Sequence, residues 1–171
     1  MLNVKEKQTA ETLAELYHTD YYTWAMTNAE LLNKGKLNEV DYINLAEEVK
    51  DLGNSEYYRL VSFFANLLSH LYKWDNQPEL RTKSWKVTII NSISDIALTI
   101  KRNPGLKNKS VFNEIFSEGW KKARTIIYSD TELEYIPNES PYSFKDAVKK
   151  ASDIAHDIIE TSDIFFLGNL F

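Results

Sequence analysis

Apolar residues recur along this chain at steps of three and four, the spacing of one face of an α-helix. Leu13, Leu16, Tyr17, Tyr21, Ala25, Ala29 and Leu32 form the first stripe. Lys34-Gly35-Lys36 closes it, with glycine just past the last turn. Tyr42, Leu45, Ala46, Val49 and Leu52 form a second stripe, closed by Gly53. A third helix is predicted to open at Asn54 or Ser55, both good caps, and to run to Trp74. It carries Leu60, Val61, Phe63, Phe64, Leu67, Leu68 and Leu71, so it is apolar on most sides, as a central helix is. Gln77-Pro78 stops it, because a residue before proline avoids helical angles.

A fourth helix spans about Ser84 to Arg102, with Trp85, Ile89, Ile93, Ile96 and Ile100 in line. Its isoleucines lack the alternation of period two that a strand would show. Asn103-Pro104-Gly105 ends it. A fifth runs from about Ser110 to Tyr128, with Phe112, Ile115, Phe116, Gly119, Trp120, Ala123, Ile126 and Ile127 on one stripe. Ser129 to Pro141 reads as a loop with two prolines. Ser143-x-x-Asp146 resembles a capping box and opens a sixth helix, which carries Phe144, Ala147, Val148, Ala151, Ile154, Ala155 and Ile158. No repeat and no interdomain linker is visible. The expectation is an all-α, single-domain bundle of about six helices with short loops over residues 1–171. Phe165-Phe166-Leu167 and Leu170-Phe171 are too apolar for a free tail, and docking on the core is expected ahead of a partner contact.

At 171 residues the chain is long enough to bury a core, and 43% apolar against 26% charged residues is a globular balance. With no cysteine there is no disulfide scaffold, cysteine nucleophile, iron–sulfur cluster or thiolate zinc site. No apolar run approaches the ~20 residues of a membrane helix. Met1 to Ala10 is polar and lacks the apolar core of a signal peptide. A cytoplasmic protein without membrane partners is expected.

Charge changes the picture more. Residues 1–56 hold five Lys against eleven acids, net −6, and residues 125–171 are also net −6. Residues 71–109 hold eight Lys or Arg against three acids, net +5. An acidic protein thus keeps one basic stretch over the third loop and fourth helix, flanked by Trp74 and Trp85. Cations neutralise phosphate and rings stack on bases, so Lys73, Trp74, Arg81, Lys83, Ser84, Trp85 and Lys86 are candidate anion-binding residues. Ser84 is placed as the cap of the fourth helix, whose N-terminus favours anions. The same residues also fit a solvated helix face beside two core tryptophans. Acidic ends meeting basic middles would equally serve self-association into a homo-oligomer.

On the third helix Arg59, Ser62, Asn66, His70 and Lys73 form one polar stripe. In a cleft, His70 would act as general acid or base, with Arg81 or Arg59 stabilising charge, in a metal-independent ribonuclease or phosphodiesterase. Arg59 lies eleven residues from His70, ~16 Å along the axis, so one helix does not complete that site. Alternatively His70 bonds a neighbouring helix. Glu15-x-x-His18 and Asp153-x-x-His156 mimic di-metal motifs, but both histidines fall off the apolar stripes, so no metal site is expected. Glu47, Glu48 and Glu56 form an acidic cluster near one helix junction: Glu56 is an early-turn acid that suits the helix dipole, and Glu47 and Glu48 read as surface residues or partners of Lys or Arg across helices. No phosphate-binding glycine loop, His-Glu-x-x-His or nucleophile elbow is present, and nothing calls for a cofactor.

Several segments together resemble a known family. They are Tyr17-His18-Thr19-Asp20-Tyr21-Tyr22-Thr23-Trp24, Asn44-Leu45-Ala46-Glu47-Glu48-Val49, Leu52-Gly53-Asn54-Ser55-Glu56, His70-Leu71-Tyr72-Lys73-Trp74, Gln77-Pro78 and Arg81-Thr82-Lys83-Ser84-Trp85. Asn103-Pro104-Gly105-Leu106 and Pro141-Tyr142-Ser143-Phe144 fit its later part. The set is similar to the bacterial family filed as domain of unknown function 29, widespread in cyanobacteria. The resemblance covers about residues 16–148 and leaves an extended C-terminal segment, 149–171. It implies an all-helical fold and no established activity.

From the residues, the expected function is a non-enzymatic interaction module. Its basic, Trp-flanked loop at residues 73–86 would bind an anionic partner, either nucleic acid or an acidic protein surface. The phosphodiester-cleaving enzyme is the alternative. A third possibility is that these residues are structural and bind nothing.

Overall fold

The structure, a computed structural model, describes residues 13–155, all helix, turn and loop. Helix α1 covers 13–19 and α2 Tyr21–Asn33. Helix α3 is Tyr42–Asn76, α4 Lys83–Arg102, α5 Lys109–Asp130 and α6 Phe144–Ala155. Short 3-10 turns at Leu37–Glu39, Pro78–Leu80 and Pro104–Lys107 make the corners. The apolar positions at 158–171 and His156 lie outside the described residues.

Two helix boundaries differ from the sequence expectation. The first stripe is broken at Asp20, whose carboxylate accepts from the Thr23 amide (3.1 Å) and hydroxyl (2.6 Å) and so caps α2. A good N-cap inside a periodic stripe ends one helix and starts the next. Conversely, Gly53 closes nothing: α3 runs through it for 35 residues, and Asn54 and Ser55 lie inside the helix. Only Gly35 among the described residues has a positive φ, 67°. There the Lys36 amide donates to Leu31 O (2.9 Å) and the Gly35 amide to Leu32 O (3.0 Å), the paired bonds of a Schellman cap.

Gly53 is exposed and nothing lies within 4 Å of where a Cβ would stand. Gly53→Ala is therefore expected to stabilise the protein by about 0.5–1 kcal/mol through helix propensity. A rise of about two degrees in melting temperature, read by circular dichroism, checks it.

The boundary between two compact units falls between Asn54 and Ser55. In the first unit a polar network does much of the fastening. The Trp24 indole donates to Asp41 Oδ2 (3.0 Å), and the Asp41 amide donates to Asn28 Oδ1 (2.9 Å). The Tyr17 and Tyr21 hydroxyls donate to the two oxygens of Glu48 (2.8 and 2.7 Å). That shared carboxylate, bonded to each phenol, pushes the Tyr17 hydroxyl up to about 12. The face of α3 used here is its polar one. Tyr42, Ala46 and Val49, expected to face a core, are exposed. The periodicity was real, but it names a face without naming what covers it.

The second unit holds the hydrophobic core. Leu60, Phe64, Leu67, Leu68 and Leu71 of α3 are fully buried among Ile89, Ile93, Ile96 and Ile100 of α4 and Ile115, Trp120, Ala123 and Ile127 of α5. Ala147, Val148 and Ala151 of α6 complete it. Phe64 meets Phe112 and Phe116 edge-on at 5.6 and 5.4 Å. At Gly119 α5 lies tight against α3: a Cβ there would stand 2.6 Å from Phe64 Cβ. Helix α6 opens as the sequence anticipates. Asp146 N–H donates to Ser143 Oγ (3.1 Å), and Ser143 N–H donates to Asp146 Oδ2 (3.2 Å), a reciprocal capping box.

Candidate functional site

Proline at 78 ends α3, and the chain turns through Pro78–Leu80 to α4. Thr82 caps α4, its hydroxyl accepting from the Trp85 amide at 3.3 Å. Ser84, assigned that role from the sequence, is instead the second residue of the helix, and its carbonyl accepts from Thr88 Oγ1 (3.1 Å). Both hydroxyl residues are reasonable caps. Thr82 wins because it alone has the extended backbone that a cap requires, φ −122° and ψ 161°.

Arg81 folds back over the end of α3. Its Nε donates to the Trp74 carbonyl (2.8 Å), and its guanidinium carbon lies 5.0 Å from the centre of the Trp74 ring. The ring and the carbonyl hold the cation without neutralising it, because neither carries a negative charge. Among the described residues Arg81 makes no ion pair, and Lys83 and Lys86 make none either. Lys83 and Ser84 are exposed at the open end of α4, and Lys86 is half-buried one turn on. The acid Glu79 is exposed on the turn itself. Asp75, the other nearby acid, accepts from the Tyr142 hydroxyl (2.7 Å) and pairs with Lys150 (2.7 Å). Its charge is matched within the fold. Burial first, and then Asp75, push the Tyr142 hydroxyl well up, so it stays a donor.

Lys73 is placed differently from the sequence expectation. It is buried, and its ammonium donates to Asp130 Oδ2 at 2.8 Å while lying 5.3 Å from the centre of the Trp85 ring. Its charge is already matched, so it is not free to meet an external anion. The hydrogen bond from Lys73 holds the Asp130 carboxyl below the usual carboxylate range. Asp130 lies 57 residues from Lys73 in sequence, and nothing local announces it. The signal available was indirect: a lysine on a helix apolar on most sides is buried only with a carboxylate to match it.

Trp85 is half-buried and meets the His70 ring edge-on at 6.5 Å. His70 Nδ1 lies 2.9 Å from the Asn66 carbonyl, which can only accept, so Nδ1 carries the proton. Burial, and next the Lys73 charge, lower the His70 pKa. The imidazole is neutral near pH 7. Arg59 sits far along the same helix, paired with Glu56 (2.7 Å), whose other oxygen accepts from Asn103 (3.1 Å). The structure therefore gathers His70, Lys73, Trp85 and Asp130 into one cluster, and it leaves Arg59 out with its charge matched. Separately it presents Arg81, Lys83, Ser84 and Lys86 at the start of α4.

A family model described as "Domain of unknown function DUF29" matches residues 16–151 of the chain. No curated protein and no solved structure matches it.

Proposed function

The chain belongs to the DUF29 family, and for it we propose a non-enzymatic interaction module that binds an anionic partner at the start of α4. The observation that carries this is Arg81. A guanidinium held by Trp74, with no ion pair among the described residues, is pre-organised for an external anion and loses little freedom on binding one. Lys83, Lys86 and the open amides of Lys83 and Ser84 add to the same potential. Against the single acid Glu79 the patch has a positive balance. Lys73 supports it from below by fixing Trp85 rather than by touching the partner. We take the protein to act in the cytoplasm. No helix among the described residues is long and apolar enough to cross a membrane.

Fluorescence anisotropy of a labelled single-stranded RNA, titrated with the full chain at two salt concentrations, tests the proposal. Binding is expected to weaken steeply with salt. Arg81→Ala should weaken it at every sequence and lower the salt slope by about one. His70→Ala should leave it unchanged. Cleaved RNA on a denaturing gel, lost in His70→Ala, would replace this proposal with the enzymatic one. Absence of binding at low salt would remove nucleic acid as the partner.

A further inference from the structure

The segment between α5 and α6, residues 131–143, has neither helix nor strand. Loops of that length inside a compact unit are uncommon, and the ordered ones usually carry function. This one is held at several points along its course. The Tyr72 hydroxyl donates to the Tyr135 carbonyl (3.0 Å), and the Trp120 indole donates to the Pro137 carbonyl (3.2 Å). Ser140 Oγ donates to the Tyr142 carbonyl (2.9 Å), and the Tyr142 hydroxyl is tied to Asp75. Leu133 and Ile136 pack on the core. A long loop fixed in this way is a built wall rather than slack chain.

Between this wall and α5 lies a half-open cavity of about 530 Å³, within the range of small-molecule sites. Asn113, Phe116, Ser117, Trp120 and Lys121 line it from α5 at steps of three and one, so they share one face of the helix. Asn138, Glu139, Ser140 and Tyr142 line it from the loop. Phe116 and Trp120 supply an apolar side, and both rings are held. Phe116 meets Phe64 edge-on at 5.4 Å, and the Trp120 indole is bonded to Pro137. The polar rim is in the opposite condition. Asn113, Ser117, Lys121, Asn138 and Glu139 make no hydrogen bond or ion pair among the described residues.

The chemistry of these groups selects the ligand. Lys121 and Glu139 are opposite in sign, so the cavity favours no net charge. Both are exposed, where a single ion pair is worth little. What remains is two carboxamides and a hydroxyl, each of which both donates and accepts. Alcohol hydroxyls do the same. A rigid aromatic side next to such a rim suits a small ring with an apolar C–H face and a hydroxyl edge. We propose that this cavity binds a neutral, hydroxyl-rich ring compound, of the monosaccharide or cyclic polyol kind, through Asn113, Ser117 and Asn138. It shares no residue with the start of α4, so it stands or falls separately from anion binding.

Heteronuclear NMR of the full chain tests it, with glucose, galactose, mannose and inositol as probes. At least one should shift the Trp120 indole N–H and the Asn138 and Glu139 amides in a saturable way, with a millimolar Kd. Glycine and inorganic phosphate, run alongside, should leave these resonances in place. Asn113→Ala and Asn138→Ala change exposed positions and should keep the fold. Each should weaken the bound probe about three- to tenfold, the worth of one hydrogen bond. Lys121→Ala/Glu139→Ala should bind it within about twofold of the parent. No saturable shift at these residues with any of the four probes would overturn the proposal. So would binding that both asparagine variants leave undiminished, or binding of glycine or phosphate that needs Lys121 and Glu139.

Discussion

Gly119→Ala is expected to destabilise the protein by about 3 kcal/mol and to lower its melting temperature by about ten degrees. Helix propensity alone gives the opposite sign, since alanine is favoured over glycine by about 1 kcal/mol inside a helix. Packing decides the outcome. The new Cβ would stand 2.6 Å from Phe64 Cβ and 3.4 Å from the Val61 carbonyl. Phe64 Cβ is rooted to the α3 backbone, so no rotamer change clears it, and α5 as a whole must move away. The surrounding core is closely packed, with Phe64 held edge-on by Phe112 and Phe116. Gly53→Ala makes the matched comparison: the same substitution in an open setting, with the opposite expected sign. Urea unfolding of both variants beside the parent checks the pair. A loss below about 1 kcal/mol at Gly119 would show that α5 yields more readily than a close-packed contact should.

The second large effect lies at the buried ammonium. Asp130→Asn should cost about 2 kcal/mol, because Lys73 is left buried and charged without its carboxylate. The figure sits below that of a fully enclosed pair because the Asp130 side chain is 45% exposed and keeps part of its hydration. Lys73→Met, by contrast, removes the charge and keeps the packing, and should cost well under about 1 kcal/mol. The double variant should resemble Lys73→Met alone, which is the mark of a coupled pair. Acid titration carries the same information. The Asp130 carboxyl is held low in the folded chain, chiefly by the Lys73 hydrogen bond. Its contribution is therefore complete above the ordinary carboxylate range and is lost as the pH falls through the lowered value. Lys73→Met should lose less stability than the parent between about pH 5 and pH 2. Equal losses in the two proteins would show that the pair does not set this part of the acid sensitivity.

Local rules read well from this sequence where the partners were close along the chain. Ser143 and Asp146 are three residues apart and satisfy each other, so their capping box was visible in advance. Gly35 and Pro78 mark helix ends because φ and a missing amide are properties of single residues. The core of α3, α4 and α5 followed from periodicity, since those faces are covered by one another. Failures arose where two local preferences competed. Asp20 breaks an apolar stripe because its carboxylate is a better cap than the stripe is a helix. Gly53 passes inside α3 because glycine permits a stop without enforcing one. At the candidate site, Arg81, Lys83 and Lys86 were legible as a charge run. The burial of Lys73 was not, since its partner Asp130 is distant in sequence and close only after folding.

Helix α3 has a consequence for how the molecule opens. Its 35 residues form one unbroken ladder of amide bonds, about three times the usual helix length. Yet the ladder is supported very unevenly. From Leu60 to Lys73 nearly every turn is enclosed, whereas around Tyr42 to Gly53 the apolar side faces water and a glycine weakens the ladder. Opening free energies should therefore rise along a single element, with fast hydrogen exchange in its early turns and protection near the global limit in its later ones. Continuity of the helical backbone and cooperativity of unfolding are separate properties in this chain.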